Sequence, residues 1–182
     1  SKGEARKRFV VPEDTKVALY IGGIGGWNGT DTLFEASRLM GENVRVVVIG
    51  KADTALHAKY PEVLFLGERP YGEIADNQQA GDVLVLPTSS RSIVGMRFTS
   101  PLKLFTYMAS GVPIVASDVS STREVLGDKG AFWFTADDAE SLAKAIREAV
   151  NDPQGRERAQ VALGAVRGYT WDARAQAILA FV

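Results

Sequence analysis

Six short, almost purely apolar runs, with segments of helical spacing between and after them, limit this chain to very few folds. The runs are Val17–Ile21, Val44–Ile49, Val63–Leu66, Val83–Leu86, Ile114–Ala116 and Ala131–Phe134. A strand with one wet face alternates apolar and polar residues. A continuous apolar run needs cover on both faces, which a parallel sheet flanked by helices supplies. Helices are expected over Thr32–Met40, Thr54–Lys59, Tyr71–Gln79, Leu102–Ser110, Thr122–Leu126, Ala139–Val150, Arg156–Arg167 and Asp172–Phe181. Ser121-x-x-Glu124 reads as a capping box for the fifth of these, with Ser120 as a competing cap. The expectation is therefore α/β class: a doubly wound, Rossmann-like, mostly parallel six-stranded sheet with helices on both faces. The 182 residues suit a single domain with a sizeable core.

Composition narrows the function classes. Lys and Arg (21) nearly balance Asp and Glu (22), so no global field favours nucleic acid or an acidic membrane. The basic cluster Lys2–Arg8 reads as a solvated first helix rather than a binding patch. Without Cys there are no disulfides, thiolate ligands or Cys nucleophiles, and a reducing cytoplasm fits. The one His, His57, lies beside Lys59 in a polar helix and is expected to be exposed, so a His/Cys zinc site is not available. No apolar run approaches the roughly 20 residues of a membrane span, and no signal peptide is visible. No carboxylates pair at a spacing that implies general acid–base work, and Asp118 can be structural or face a cleft.

In a doubly wound sheet, ligands bind outside the carboxyl ends of the strands. Three strand-to-helix connections should converge there: Gly22–Thr30, Gly67–Tyr71 and Pro87–Ser100. The first carries five Gly after a strand and before a helix, a setting in which backbone can approach a phosphate closely. It lacks the G-x-G-x-x-G spacing, and Glu42 follows a helix end, so a dinucleotide fingerprint is disfavoured; without G-K-[ST] it is no P-loop. A Gly-rich turn with no ligand remains an alternative. In the second, Pro70 stiffens the turn and Tyr71 could stack a base, while a plain helix-entry turn with no ligand fits equally well. The third is long for a compact domain, and Arg91 and Arg97 could each clamp a phosphate or equally be a surface charge. It leads into Ser100–Asp118, where Ser100 reads as an N-cap, Pro101 as the first helical residue and Gly111 as the stop. A helix start at that edge is a seat for phosphate.

These motifs, in this order, resemble the C-terminal, nucleotide-sugar-binding domain of the retaining glycosyltransferases of family 4, with the GT-B fold. The resemblance runs through Arg6–Phe9 with Pro12, Tyr20–Asp31, Leu66–Tyr71, Ala80–Pro87, Ser100–Gly111, Pro113–Asp118, Arg123-Glu124 and Tyr169–Trp171. It implies that residues 1–182 are a donor-binding domain whose N-terminal acceptor domain is absent. The reaction implied is transfer of a sugar from a nucleotide diphosphate sugar, with retention and without a metal or other cofactor. The donor-binding residues implied are Gly22, Gly23, Gly25, Asn28, Glu68, Arg69, Tyr71, Arg97, Ser100, Leu102, Lys103 and Thr106. The diphosphate would sit between the Gly22–Gly26 loop and the N–H groups of Leu102 and Lys103. The base would lie against Gly67–Tyr71 and the ribose at position 106. No catalytic residue is identified in this domain, which alone is expected to be inactive. The location implied is cytoplasmic, with any membrane contact made through the missing domain, and an apolar lip is expected where that domain is lacking.

Three departures from the family pattern stand out. Asn28 replaces a diphosphate-binding Lys, Gly23 replaces an Arg five residues earlier, and the Glu-x7-Glu pair falls on Phe98 and Thr106. Two further readings follow. One is a degenerate, non-catalytic binding module of the same fold; the other is an unrelated Rossmann-like protein, such as a reductase or a sugar-phosphate epimerase.

Overall fold

The computed structural model describes residues 2–12, 14–93, 96 and 102–181. Six strands, β1 (Lys16–Ile21), β2 (Val44–Ile49), β3 (Leu64–Phe65), β4 (Val83–Leu86), β5 (Ile114–Ser117) and β6 (Phe132–Phe134), form one sheet in the order β3-β2-β1-β4-β5-β6. Every pairing is parallel. The expected sheet is thus present, and entirely rather than mostly parallel. β3 is shorter than its apolar run because only Leu64 and Phe65 pair in the ladder, with Val47 and Val48, although Leu66 N still donates to Val48 O at 2.9 Å.

The helices fall on both faces. Ala18, Tyr20, Val46, Val48, Val83, Val85 and Val115 pack against α2 (Thr30–Ser37) and α7 (Ala139–Asn151). Val17, Leu19, Val47, Ile49, Leu84, Leu86, Ile114 and Ala116 pack against α1 (Lys2–Phe9), α5 (Leu102–Ser110), α6 (Ser120–Leu126) and α8 (Gly155–Val166). Successive strand residues point to opposite faces, so each aliphatic run is divided between the two cores. The remaining helices are α3 (Thr54–Lys59), α4 (Ile74–Gln78) and α9 (Trp171–Phe181). His57 on α3 is exposed, as expected. None of α9 is buried, and Trp171, Leu179 and Phe181 stand largely in solvent.

Two local expectations fail. The basic first helix is not simply solvated: Arg6 is buried, pairs with Asp82 and donates through Nε to Ala80 O at 3.1 Å. Asp82 also accepts from Val17 N at 2.7 Å and from Lys2 Nζ at 2.6 Å. Burial pushes its carboxyl up, but these donors and the two cations outweigh that, so its pKa is lowered. The cluster staples α1 to the amino edge of β1 and β4. Nor does the Ser121 capping box form: the N-cap of α6 is Val119, with no side-chain cap. The buried Val119 enters in extended conformation straight from β5, which places both serines inside the first turn. Asp118 is structural: its carboxylate accepts from Arg123 Nε at 2.6 Å and Nη2 at 2.8 Å. That Arg123 bond comes first among the causes holding Asp118 below the usual carboxylate range.

Among the described residues no helix is long and apolar enough to cross a membrane.

Candidate functional site

Strand order reverses between β1 and β4, since chain connections lead outward from β1 on one side and from β4 on the other. The two strands pair only at Ala18–Val83 and Leu19–Leu84 and then part. Ile21 lies beyond the last of these pairs. The buried Tyr107 hydroxyl of α5 accepts from Ile21 N at 2.8 Å and donates to Ile21 O at 3.4 Å. A side chain thus stands in for ladder partners where the crevice opens.

The loops at this edge are locked together by close backbone approach. A Cβ on Gly29 would lie 1.7 Å from Pro87 O, and Gly29 sits at φ +65. Ser89 N donates to Trp27 O at 3.0 Å, so the loops after β1 and β4 touch directly. A Cβ on Gly50 would lie 2.2 Å from Gly22 O, and Gly50 N donates to Gly67 O at 3.0 Å. The loops after β1, β2 and β3 therefore form one continuous rim, and the expected convergence holds for the described residues. The part played by Gly50 was missed from sequence, because one Gly after a strand carries no signal of what packs on it.

Lys103 stands at the centre. It projects from the first turn of α5 and crosses the end of β1, where its Nζ donates to Asn28 Oδ1 at 2.6 Å and to Tyr20 OH at 3.0 Å. Tyr20 in turn donates to Gly23 O at 2.6 Å, and Asn28 Nδ2 donates to Gly25 O at 3.3 Å. Gly25 N donates to Thr30 Oγ1 at 2.8 Å. Gly22 closes over the lysine: a Cβ there would be 3.0 Å from Nζ. Burial pushes the Lys103 ammonium down to about 8. Burial, and then the Tyr107–Tyr20 interaction, pushes the Tyr20 phenol well up, so it stays protonated.

The sequence-expected residues divide accordingly. Gly22, Gly23, Gly25, Asn28 and Lys103 come together in one network. Glu68, Arg69 and Tyr71 are exposed on the adjoining loop, joined to the rim through Gly67. Leu102 is exposed at the start of α5, where the first N–H groups of a helix have no partner within it. Arg97, Ser100, Pro101 and Phe98 lie outside the described residues. Thr106 points elsewhere: its hydroxyl donates to Lys103 O at 2.9 Å and accepts from Gln78 Nε2 at 2.9 Å. Arg91 lies 3.9 Å from Asp137 rather than over the glycines.

Sequence reasoning missed four of the residues that shape this edge. Tyr20 and Tyr107 sit inside apolar periodicity and read as core. Gln78 belongs to a polar helix face with nothing to mark it. Asp137, at φ +62, accepts from Ser90 N at 2.9 Å and Ser90 Oγ at 2.7 Å and so anchors the loop after β4. Exposed apolar side chains lie on the connections after β1, β3 and β4, at Trp27, Tyr71 and Ile93, and Leu102 is exposed at the start of α5.

The sequence pattern of the family described as "Glycosyl transferases group 1" matches residues 15–152. A D-inositol 3-phosphate glycosyltransferase of Xylanimonas cellulosilytica is 30% identical over 190 residues, covering 96% of this chain and 43% of that protein. HepE of Anabaena, solved in complex with UDP and glucose, superposes with a TM-score of 0.79 at 18% identity, over 99% of this chain and 51% of that one. The C-terminal domain of a group 1 family glycosyl transferase (LpcC) from Francisella tularensis superposes at 0.75 with 19% identity, covering 94% of each chain. This chain spans 36–46% of the length of the curated relatives it matches.

Proposed function

The chain belongs to the group 1 glycosyl transferases, and from that premise we propose that it is the donor-binding, C-terminal half of a retaining GT-B glycosyltransferase. The substrate in this reading is a nucleotide diphosphate sugar. One observation carries it: the glycine loop after β1, the start of α5 and the half-buried Lys103 meet where β1 and β4 part. That is where a doubly wound sheet binds ligands, and the groups present suit an anion. The complexes of HepE with UDP, UDP and glucose, and UDP-glucose support the same assignment by fold. The reading assigns no metal to the reaction. It places the acceptor and the reacting centre between this domain and an N-terminal partner of similar size, so the domain alone is inactive. The exposed apolar residues at the carboxyl edge fit a surface that such a partner covers. The setting is cytoplasmic.

Saturation-transfer NMR with UDP, GDP and ADP sugars tests the proposal. Contact from the nucleotide of one of them is expected, and silence from all three would sink it.

A second reading, a binding module that has lost turnover, is favoured by Thr106. Its hydroxyl is committed to Gln78 and to its own helix, and it offers a ribose no carboxylate.

A further inference from the structure

We propose that Asp137 is a positioning residue for donor binding: from the turn after β6 it fixes the loop after β4 and, through Ser90 and Ser89, the Trp27–Gly29 end of the glycine loop. This rests on the donor-binding reading above and adds a residue outside the three loops that meet the donor in that reading.

Asp137 is unfavourable where it stands. Among the described residues only Val10 and Asp137 combine a side chain with positive φ. Aspartate tolerates φ +62 better than most residues, but only glycine adopts it freely. The side chain is also only 12% exposed, so the carboxylate has left most of its water. The turn itself does not need that carboxylate. The N-cap of α7 is the neighbouring Asp138, which accepts from Ser141 N at 2.9 Å.

The contacts of Asp137 lead away from its own turn. In the order β4-β5-β6 a strand lies between, and the carboxylate reaches past the end of β5 to the loop after β4. Its Oδ2 accepts from Ser90 N at 2.9 Å and from Ser90 Oγ at 2.7 Å, and the Arg91 guanidinium lies 3.9 Å from Oδ1. Burial pushes the carboxyl up, but the Ser89 and Ser90 hydroxyls, the Ser90 N–H and Arg91 outweigh it, so its pKa is lowered.

The other side of the same loop grips the glycine loop. Ser89 is buried and donates through N to Trp27 O at 3.0 Å, and Pro87 O packs directly on Gly29. The glycine loop needs such holds. Gly25, Gly26 and Gly29 all take positive φ, and the turn's own bonds are long: Asn28 N to Gly25 O at 3.3 Å and Gly29 N to Gly26 O at 3.4 Å. Ser89 supplies a shorter bond at that end, and Asp137 holds the residue next to it. The base turn is held separately, by Gly50 N on Gly67 O at 3.0 Å. Loss of the Asp137 carboxylate therefore loosens what the glycine loop holds and spares what the base turn holds.

The test uses the 182-residue chain and whichever of UDP, GDP or ADP the wild type binds most tightly, with the matching nucleoside as control. In Asp137→Gly the turn keeps its backbone without strain and only the contact is lost. Amide exchange followed by NMR should show Ser89 and Ser90 opening at least about tenfold faster, with the β1 and β2 amides unchanged. Calorimetric titration should show the diphosphate weakened by about threefold to tenfold. The nucleoside, followed by saturation-transfer NMR, should be unaffected. Asp137→Asn tolerates the same φ and keeps an acceptor for Ser90, so it should return both readings to within about twofold of wild type. Ser90→Ala deletes the 2.7 Å contact from the opposite side and should shift both readings in the direction of Asp137→Gly, which serves if the glycine variant does not fold. If Ser89 stays protected in these variants, the assignment is overturned and the donor reading stands. The same holds if Asp137→Gly binds the diphosphate within about twofold of wild type, or weakens nucleoside and diphosphate equally. If the wild type binds no nucleotide at all, both fall.

Discussion

Replacing Asp82 by Asn tests whether α1 is held by charge or merely by packing. Asp82 and Arg6 are both nearly buried, with side-chain exposures of 12% and 7%. Asn keeps the shape and an acceptor for Val17 N–H, but removes the carboxylate charge that Arg6 and Lys2 share. Removing one partner of a buried pair costs about 3–5 kcal/mol. The retained acceptor and the half-exposed Lys2, whose own contribution is small, argue for the lower end. For a chain of this size each kcal/mol moves the midpoint by about 2–4 °C, so about 3 kcal/mol lowers it by roughly 6–12 °C. Scanning calorimetry at pH 7 reads this directly. Because the folded carboxyl is held below its unfolded pKa, its contribution is full above the unfolded value and is lost as the pH falls through the folded one. The gap between wild type and variant should therefore close on acidification. In a cycle with Arg6→Met, the double variant should be less destabilised than the sum of the single ones by about 1–3 kcal/mol. A midpoint shift under about 2 °C for Asp82→Asn at pH 7 would refute the reasoning, since the loss of one charge from a pair this buried should cost more.

Three further outcomes follow from the site. Gly29→Ala should cost about 2 kcal/mol or more, from left-handed backbone and a Cβ driven into Pro87 O, and chemical denaturation would measure it. Thr106→Glu should raise donor affinity by about tenfold in calorimetry, because a carboxylate adds a charge-assisted contact and still accepts from Gln78; unchanged affinity favours the binding-module reading. Asn28→Lys should not improve binding. It sets a second ammonium where Nζ of Lys103 now lies 2.6 Å from Oδ1, and a lowered melting midpoint is expected.

The sheet was legible because strand cover leaves a local trace. A run such as Val44–Ile49 is apolar at nearly every position only if both faces are buried, and that reads without any knowledge of neighbours. Helix ends with strong local chemistry were legible for the same reason: Gly111 does sit at φ +68 after α5. Where two local signals competed, sequence misjudged. Ser121 looked like a cap, but the entry of α6 is dictated by the buried Val119 coming off β5. Arg6 looked like surface charge, because its partner Asp82 is far along the chain and becomes its neighbour only when β4 lies beside β1.

The sequence by itself determined the fold class, the family and the sheet edge proposed for donor binding. Each of these is written in periodicity, turn residues and ordered motifs, all short-range properties of a chain. Only the tertiary structure decided how the site is charged. Asn28 and Lys103 are 75 positions apart, and read separately they suggest a missing cation and an unremarkable helix residue. Folding carries the lysine across the end of β1 onto the asparagine, and burial then makes its charge matter. Electrostatic cost depends on distance and solvent access, and neither quantity exists until the chain has folded.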